Sequence, residues 1–202
     1  MEEKEAITDN IKACEEAMQF FSNPGRRERE AWVVGQFLKN IGINFENSEL
    51  TPGNNPPDVI FQNAIFEIKE IDKKGRRRHD EYKQKLIGAR SATQREDLIE
   101  PYEFKHITLQ EIVDRIAEEL RTFNYSLDFS KDTDILFYIN FSCKENQNYT
   151  ISDNNILKKW RSVSIITNNN LSCVFYAADS APQFIKSRIG EIIKRPIDNT
   201  TI

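Results

Sequence analysis

Residues 56–71, PPDVIFQNAIFEIKEI, restrict the fold more than any other stretch of the chain. Two runs rich in β-formers, DVIF (58–61) and AIFEIKEI (64–71), flank Gln62-Asn63, a two-residue spacer suited to a hairpin turn. That turn sets Phe61 opposite Ala64, Ile60 opposite Ile65, Val59 opposite Phe66 and Asp58 opposite Glu67. Side chains opposed in this way have Cβ atoms about 5 Å apart. The strand period of two adds Lys69 to the same face and sends Phe66 and Ile68 to the other. A turn shifted to Asn63-Ala64 would set Asp58 against Lys69 instead and still keep the three charges together.

Two carboxylates opposed on an apolar hairpin repel each other unless a cation stands between them. The expected ion is hard and divalent, Mg²⁺ or Mn²⁺. Mg²⁺ takes oxygen ligands octahedrally, retains several waters, and is typically held by one or two carboxylates together with substrate phosphate oxygens. Lys69, one strand step beyond Glu67, is placed to orient or deprotonate a water on that ion and to balance charge on a pentacovalent phosphate. The constellation suits hydrolysis of a phosphodiester.

Pro57-Asp58, a short spacer, then Glu67-Ile68-Lys69 resembles the signature of the PD-(D/E)xK nuclease superfamily. The resemblance implies metal ligation by Asp58 and Glu67 and a catalytic role for Lys69. It also implies an α/β fold with a restriction-endonuclease-like core, α-β-β-β-α-β, in which helices flank a mixed sheet. The wording around the signature, RREREAWVVGQFL, PPDV and GRRRHDEYK, is similar to a small bacterial family known only as candidate endonucleases of unknown function.

Composition excludes several other classes. No apolar run approaches the roughly 20 residues that span a bilayer, and the opening Met1-Glu2-Glu3-Lys4-Glu5 is too acidic for a signal peptide, so no membrane partner and a cytoplasmic setting are expected. Cys14, Cys143 and Cys173 lie far apart with no CxxC spacing, which argues for reduced thiols and against zinc or a disulfide frame. Two histidines, His79 and His106, leave no HExxH. Seven glycines include neither GxGxxG nor GxxxxGK[ST] spacing, so no dinucleotide or P-loop signal exists. The net charge of −4 means that nucleic-acid binding must rest on local patches rather than on the field of the whole chain.

Along the chain, residues 3–22 place Ile7, Ile11, Cys14, Met18 and Phe21 on one stripe of an amphipathic helix, packed in the core or against a second copy in a homodimer. Asn23-Pro24 reads as the start of a second helix that closes near Gly42 and buries Val33, Val34, Phe37, Leu38 and Ile41. Glu30 extends that stripe, whereas Glu28 falls on a neighbouring face. Glu30 is therefore the expected third carboxylate, bound to the metal or to a second ion through water. A first strand is expected at 43–49, then the hairpin. Lys73, Lys74, Arg76, Arg77 and Arg78 follow it as expected phosphate contacts, although a basic run is also what a solvated helix start looks like. Next come a helix to about Arg90, an irregular stretch over 91–106, and a helix opened by the capping box Thr108-Leu109-Gln110-Glu111, with Ile112, Val113, Ile116, Ala117 and Leu120 inward. DILFYINFSC (134–143) reads as a strand buried on both faces. A loop over 144–155, strands at 162–168 and 172–178, and a helix at 181–195 carrying Ile185, Ile189 and Ile192 complete the chain.

These readings describe a single domain over 1–202: an N-terminal helix (1–22), a core (23–143) and a strand-strand-helix extension (144–202). The expected function is a Mg²⁺- or Mn²⁺-dependent nuclease cutting a nucleic-acid backbone, DNA first, as an endodeoxyribonuclease. The alternative is a non-catalytic nucleic-acid-binding or protein-interaction module on the same fold, its hairpin charges paired among themselves.

Overall fold

A computed structural model of the chain describes residues 2–72, 75–99, 106–143, 148–151 and 154–196. The chain forms two compact units, residues 1–29 with 73–104 and residues 30–72 with 105–202.

The smaller unit is helical. Helix α1 (Glu2–Phe20) lays its stripe, with Cys14 buried at its centre, against α3 (Arg78–Ser91), which buries Leu86 and Ala89. Phe21 stacks on Tyr82 with ring centroids 5.3 Å apart, and Arg90 pairs with Glu15 at 2.7 Å. A single 3₁₀ turn (Arg95–Leu98) follows. Helix α2 (Arg26–Asn40) starts later than Asn23-Pro24 suggested, because those residues form a turn in which Arg26 N–H bonds to the Asn23 carbonyl. Gly25 is required there: a Cβ would sit 2.5 Å from the Gln19 carbonyl oxygen.

The larger unit holds a seven-stranded mixed sheet. Its strands are β1 (Thr51–Pro52), β2 (Val59–Phe61), β3 (Ala64–Ile71), β5 (Asp134–Ile139), β7 (Ser162–Thr167), β8 (Leu171–Ala177) and β9 (Ile192–Lys194), hydrogen-bonded in that order. Neighbours are antiparallel at both ends, while β3, β5 and β7 run parallel through the middle. Parallel neighbours need long crossovers. Helices α4 (Leu109–Thr122) and α5 (Leu127–Asp132) lie in the connection from β3 to β5, and α6 (Asn154–Leu157) in that from β5 to β7. A separate two-stranded sheet joins β4 (His106–Ile107) to β6 (Ser142–Cys143).

Both faces of the central strands are covered. Val33, Val34, Phe37, Leu38 and Ile41 of α2 pack with Phe66, Leu136, Ile166 and Val174 on one face. Ile112, Ile116 and Leu120 of α4 pack with Ile135, Phe137, Ile139 and Ile165 on the other. The expected order of helix, three strands, helix and strand can be traced as α2, β1, β2, β3, α4 and β5, but α3 and β4 stand between β3 and α4, and α5 between α4 and β5.

Three local expectations are corrected. Residues 43–49 hold no strand: Glu49 takes the Glu46 N–H at 2.7 Å and closes a 3₁₀ turn at Asn47–Glu49, so the strand falls at Thr51–Pro52. The run 134–143 divides at Asn140, whose N–H bonds back to the Ile71 carbonyl, and Ser142–Cys143 joins the small sheet. The C-terminal helix is short, α7 (Gln183–Lys186). Gly190, at a φ of 78°, lets the chain reverse and return as β9 beside β8. Ile185 is buried, but Ile189 and Ile192 are exposed rather than continuing a stripe. Among the described residues no helix is long and apolar enough to cross a membrane.

Candidate active site

The hairpin has the register read from its turn, with Phe61 opposite Ala64 and Val59 opposite Phe66, and Gln62 carries the positive φ, 51°, that such a turn requires. Alternation then sends Phe66 and Ile68 toward α2, and Glu67 and Lys69 toward the α4 face beside Ile135 and Phe137.

Asp58 does not face Glu67 as a simple cross-strand partner. It precedes Val59, the first residue of β2, donates its N–H to the Phe66 carbonyl, and accepts the Ile68 N–H on its own Oδ2 at 2.9 Å. The carboxylate thus extends the ladder ahead of the start of β2, and it is buried there at 5% exposure. A buried carboxylate sustained by a backbone amide is a fixed acceptor rather than a floppy surface charge.

Glu67 is 2% exposed. Its Oε1 accepts two hydrogen bonds, from Lys69 Nζ at 2.6 Å and from the Tyr125 hydroxyl at 2.5 Å. Its Oε2 is buried and, among the described residues, accepts none. Leaving a buried carboxylate oxygen unmatched costs more than a typical hydrogen bond contributes, and a further donor or a cation would offset that cost. Hard oxygen donors of this kind fit Mg²⁺ or Mn²⁺.

Lys69 lies 5.4 Å above the Tyr125 ring and 5.8 Å above that of Phe123. Burial alone would lower its pKa, but the hydrogen bonds and charge of Glu67 and Tyr125 outweigh that and raise it above the usual 10.5. The Tyr125 hydroxyl is raised as well, by burial first and then by Glu67. Tyr125 belongs to the extended segment between α4 and α5 and is wedged among aromatics: it stacks on Phe129 at 5.1 Å and meets the Trp160 ring edge-on at 5.5 Å.

The structure thus brings Glu67 and Lys69 together and sets Asp58 on the adjoining backbone. Glu30 is half-buried and Glu28 exposed, but the buried stripe of α2 covers the sheet face opposite Glu67. Among the described residues no three His, Cys, Asp or Glu side chains gather closely enough to hold a metal ion, so Glu30 does not complete a three-carboxylate cluster. Of the basic run, Lys73 and Lys74 lie outside the described residues. Arg76 is paired with Glu81 at 3.0 Å, and the Arg78 guanidinium lies 4.1 Å over the Phe21 ring. Arg77 is 81% exposed, with Asp80 3.9 Å away.

Tyr125 escaped the sequence reading. It stands 58 positions from Glu67, and the only local sign of it is the aromatic spacing Phe123, Tyr125 and Phe129 after a well-capped helix, which reads equally well as core.

The fold is similar to that of a solved protein of unknown function from Pseudomonas aeruginosa strain PAO1, described as belonging to the Monooxygenase Superfamily. The TM-score is 0.65 at 23% sequence identity, over 96% of this chain and 97% of that one. At that identity the likeness concerns the fold alone. No curated protein matches the chain. A family model does match, over residues 2–200, and the chain belongs to that family, which is described as "Putative endonuclease, protein of unknown function (DUF1780)".

Proposed function

We propose that the protein is a Mg²⁺- or Mn²⁺-dependent endonuclease of the PD-(D/E)xK type with a restriction-endonuclease-like core, and that it hydrolyses phosphodiester bonds in DNA. The observation that carries this reading is the Glu67 carboxylate: one oxygen is anchored by Lys69 and Tyr125 and the other is buried with no partner among the described residues. Asp58 and Glu67 would hold the ion, with Glu30 acting through water or on a second ion. The bound ion would supply Lewis acidity toward the scissile phosphate and a water of lowered pKa. Asp58, tied to the Ile68 amide, would be held in place to bind the ion. Lys69 orients the attacking water and offsets charge that builds on the phosphate, and its aromatic neighbours Phe123 and Tyr125 keep it from swinging into solvent. Arg76, Arg77 and Arg78, with Lys73 and Lys74, would contribute phosphate contacts.

A second reading has its own support. The 2.6 Å contact of Lys69 with Glu67 is also what a self-paired, non-catalytic binding module would contain. Cleavage of single-stranded, duplex and branched DNA and RNA with Mg²⁺ or Mn²⁺ separates the two. The nuclease reading expects metal-dependent cutting by the wild type, loss of Mn²⁺ binding by calorimetry in Asp58→Ala and Glu67→Ala, and retained Mn²⁺ binding without cutting in Lys69→Ala. Unchanged Mn²⁺ affinity in Asp58→Ala would overturn the site. A wild type that neither cuts nor gains melting temperature with Mn²⁺ would favour the binding module.

A further inference from the structure

We infer that Tyr125 is a positioning residue that decides which oxygen of Glu67 is offered to the cation, an inference that rests on the metal-site reading above. A carboxylate on a glutamate side chain turns freely about its last bond, so its two oxygens are equivalent until something distinguishes them. Here two donors converge on Oε1. Lys69 reaches it from two residues along the same strand, at 2.6 Å, and the Tyr125 hydroxyl reaches it at 2.5 Å from the segment between α4 and α5. Oε2 is left buried and unmatched.

The two donors are not equivalent anchors. Lys69 ends in a flexible stem, and its ammonium must also serve the phosphate. Tyr125 has a rigid ring whose faces and edges are held by Phe129, Trp160 and Phe123 at centroid distances of 5.1, 5.5 and 5.8 Å. Its hydroxyl therefore keeps Oε1 occupied while Lys69 moves. Hydrogen-bond partners that orient a metal-ligating carboxylate typically change metal affinity by 10- to 100-fold when removed. The ring also fixes how far Lys69 can retreat, since Nζ rests over it at 5.4 Å.

Tyr125→Phe keeps the ring and its packing and removes only the hydroxyl. Mn²⁺ affinity measured by calorimetry should fall by about tenfold or more. Tyr149→Phe is the control: it removes another half-buried tyrosine hydroxyl, one that meets Cys173 Sγ at 3.5 Å rather than Glu67, and should leave Mn²⁺ affinity unchanged. Equal Mn²⁺ affinity in wild type and Tyr125→Phe overturns the inference and leaves the nuclease reading standing. A drop of the same size in Tyr149→Phe also overturns it, because the effect is then not one of the hydrogen bond to Glu67. Absence of Mn²⁺ binding in the wild type itself defeats the underlying reading instead. A measurement on the wild type covers the case in which Tyr125→Phe does not fold. The Tyr125 hydroxyl proton should give a slowly exchanging downfield NMR signal that persists at saturating Mg²⁺, and its disappearance on adding Mg²⁺ overturns the inference.

Discussion

At the scale of single residues, the most thoroughly paired buried charge among the described residues is a carboxylate shared by three strands. Asp134 is fully buried at the head of β5, where it accepts a paired contact from the Arg161 guanidinium, the Ser162 hydroxyl at 2.7 Å and the Ile65 N–H at 3.1 Å. One carboxylate thus binds the heads of β3, β5 and β7 together. Such a pair stabilises little compared with an apolar replacement, yet breaking it strands a charge. Arg161→Leu should cost about 3–5 kcal/mol in urea unfolding, and adding Asp134→Asn should recover part of that by removing the stranded charge. A double variant less stable than the single one would refute this account. The sequence showed Asp134 only as the first residue of a strand, just as it showed Tyr125 only as one aromatic among several. Both are defined by contacts between segments far apart in the chain, which no local pattern encodes. The hairpin residues were legible because turn chemistry and a period of two act over sixteen positions.

Elements were legible where a local signal had no competitor. Thr108 and Glu111 form the capping box that their spacing implied: Thr108 Oγ1 accepts the Glu111 N–H at 3.1 Å, and Glu111 accepts the Thr108 N–H at 2.8 Å. Thr108→Ala should cost about 1 kcal/mol. The hydrogen bonds from the Thr108 backbone, and then from its hydroxyl, hold Glu111 below its ordinary 4.5. A lowered folded-state pKa gives stability that is present above the unfolded value and lost as pH falls through the folded one. The difference in stability between wild type and Glu111→Gln should therefore shrink on acidification below about pH 4.5, and a difference that grows there would contradict the cap. The C-terminal stretch was not legible in the same way. Isoleucines at 185, 189 and 192 fit a helical stripe, but Gly190 offers a reversal and β8 offers an unpaired edge, and edge pairing outweighed a weak helical preference. The strand expected at 43–49 failed for the opposite reason, since a carboxylate at Glu49 captured a backbone N–H that a ladder would have used.

For the molecule as a whole, a net charge of −4 makes any grip on DNA local and steeply dependent on salt. Arg76 already shares its Nε–H between the two carboxylate oxygens of Glu81, whereas Arg77 is largely in solvent. On the proposed reading, Arg77→Gln should flatten the salt dependence of duplex binding by about 0.9 units of slope, and Arg76→Gln by less. Equal slopes for wild type and Arg77→Gln would return the basic run to a solvated helix start. The parallel pairing at the centre of the sheet has another consequence, one of timing. Phe66 on β3 pairs with Asp134, 68 positions later. At synthesis rates of roughly 5–20 residues per second, the hairpin and its carboxylates leave the ribosome roughly 3–14 s before the strand that covers their inner edge. During that interval β3 is an open, apolar edge, and a nascent chain stalled before residue 134 would be a substrate for chaperones rather than a dormant enzyme.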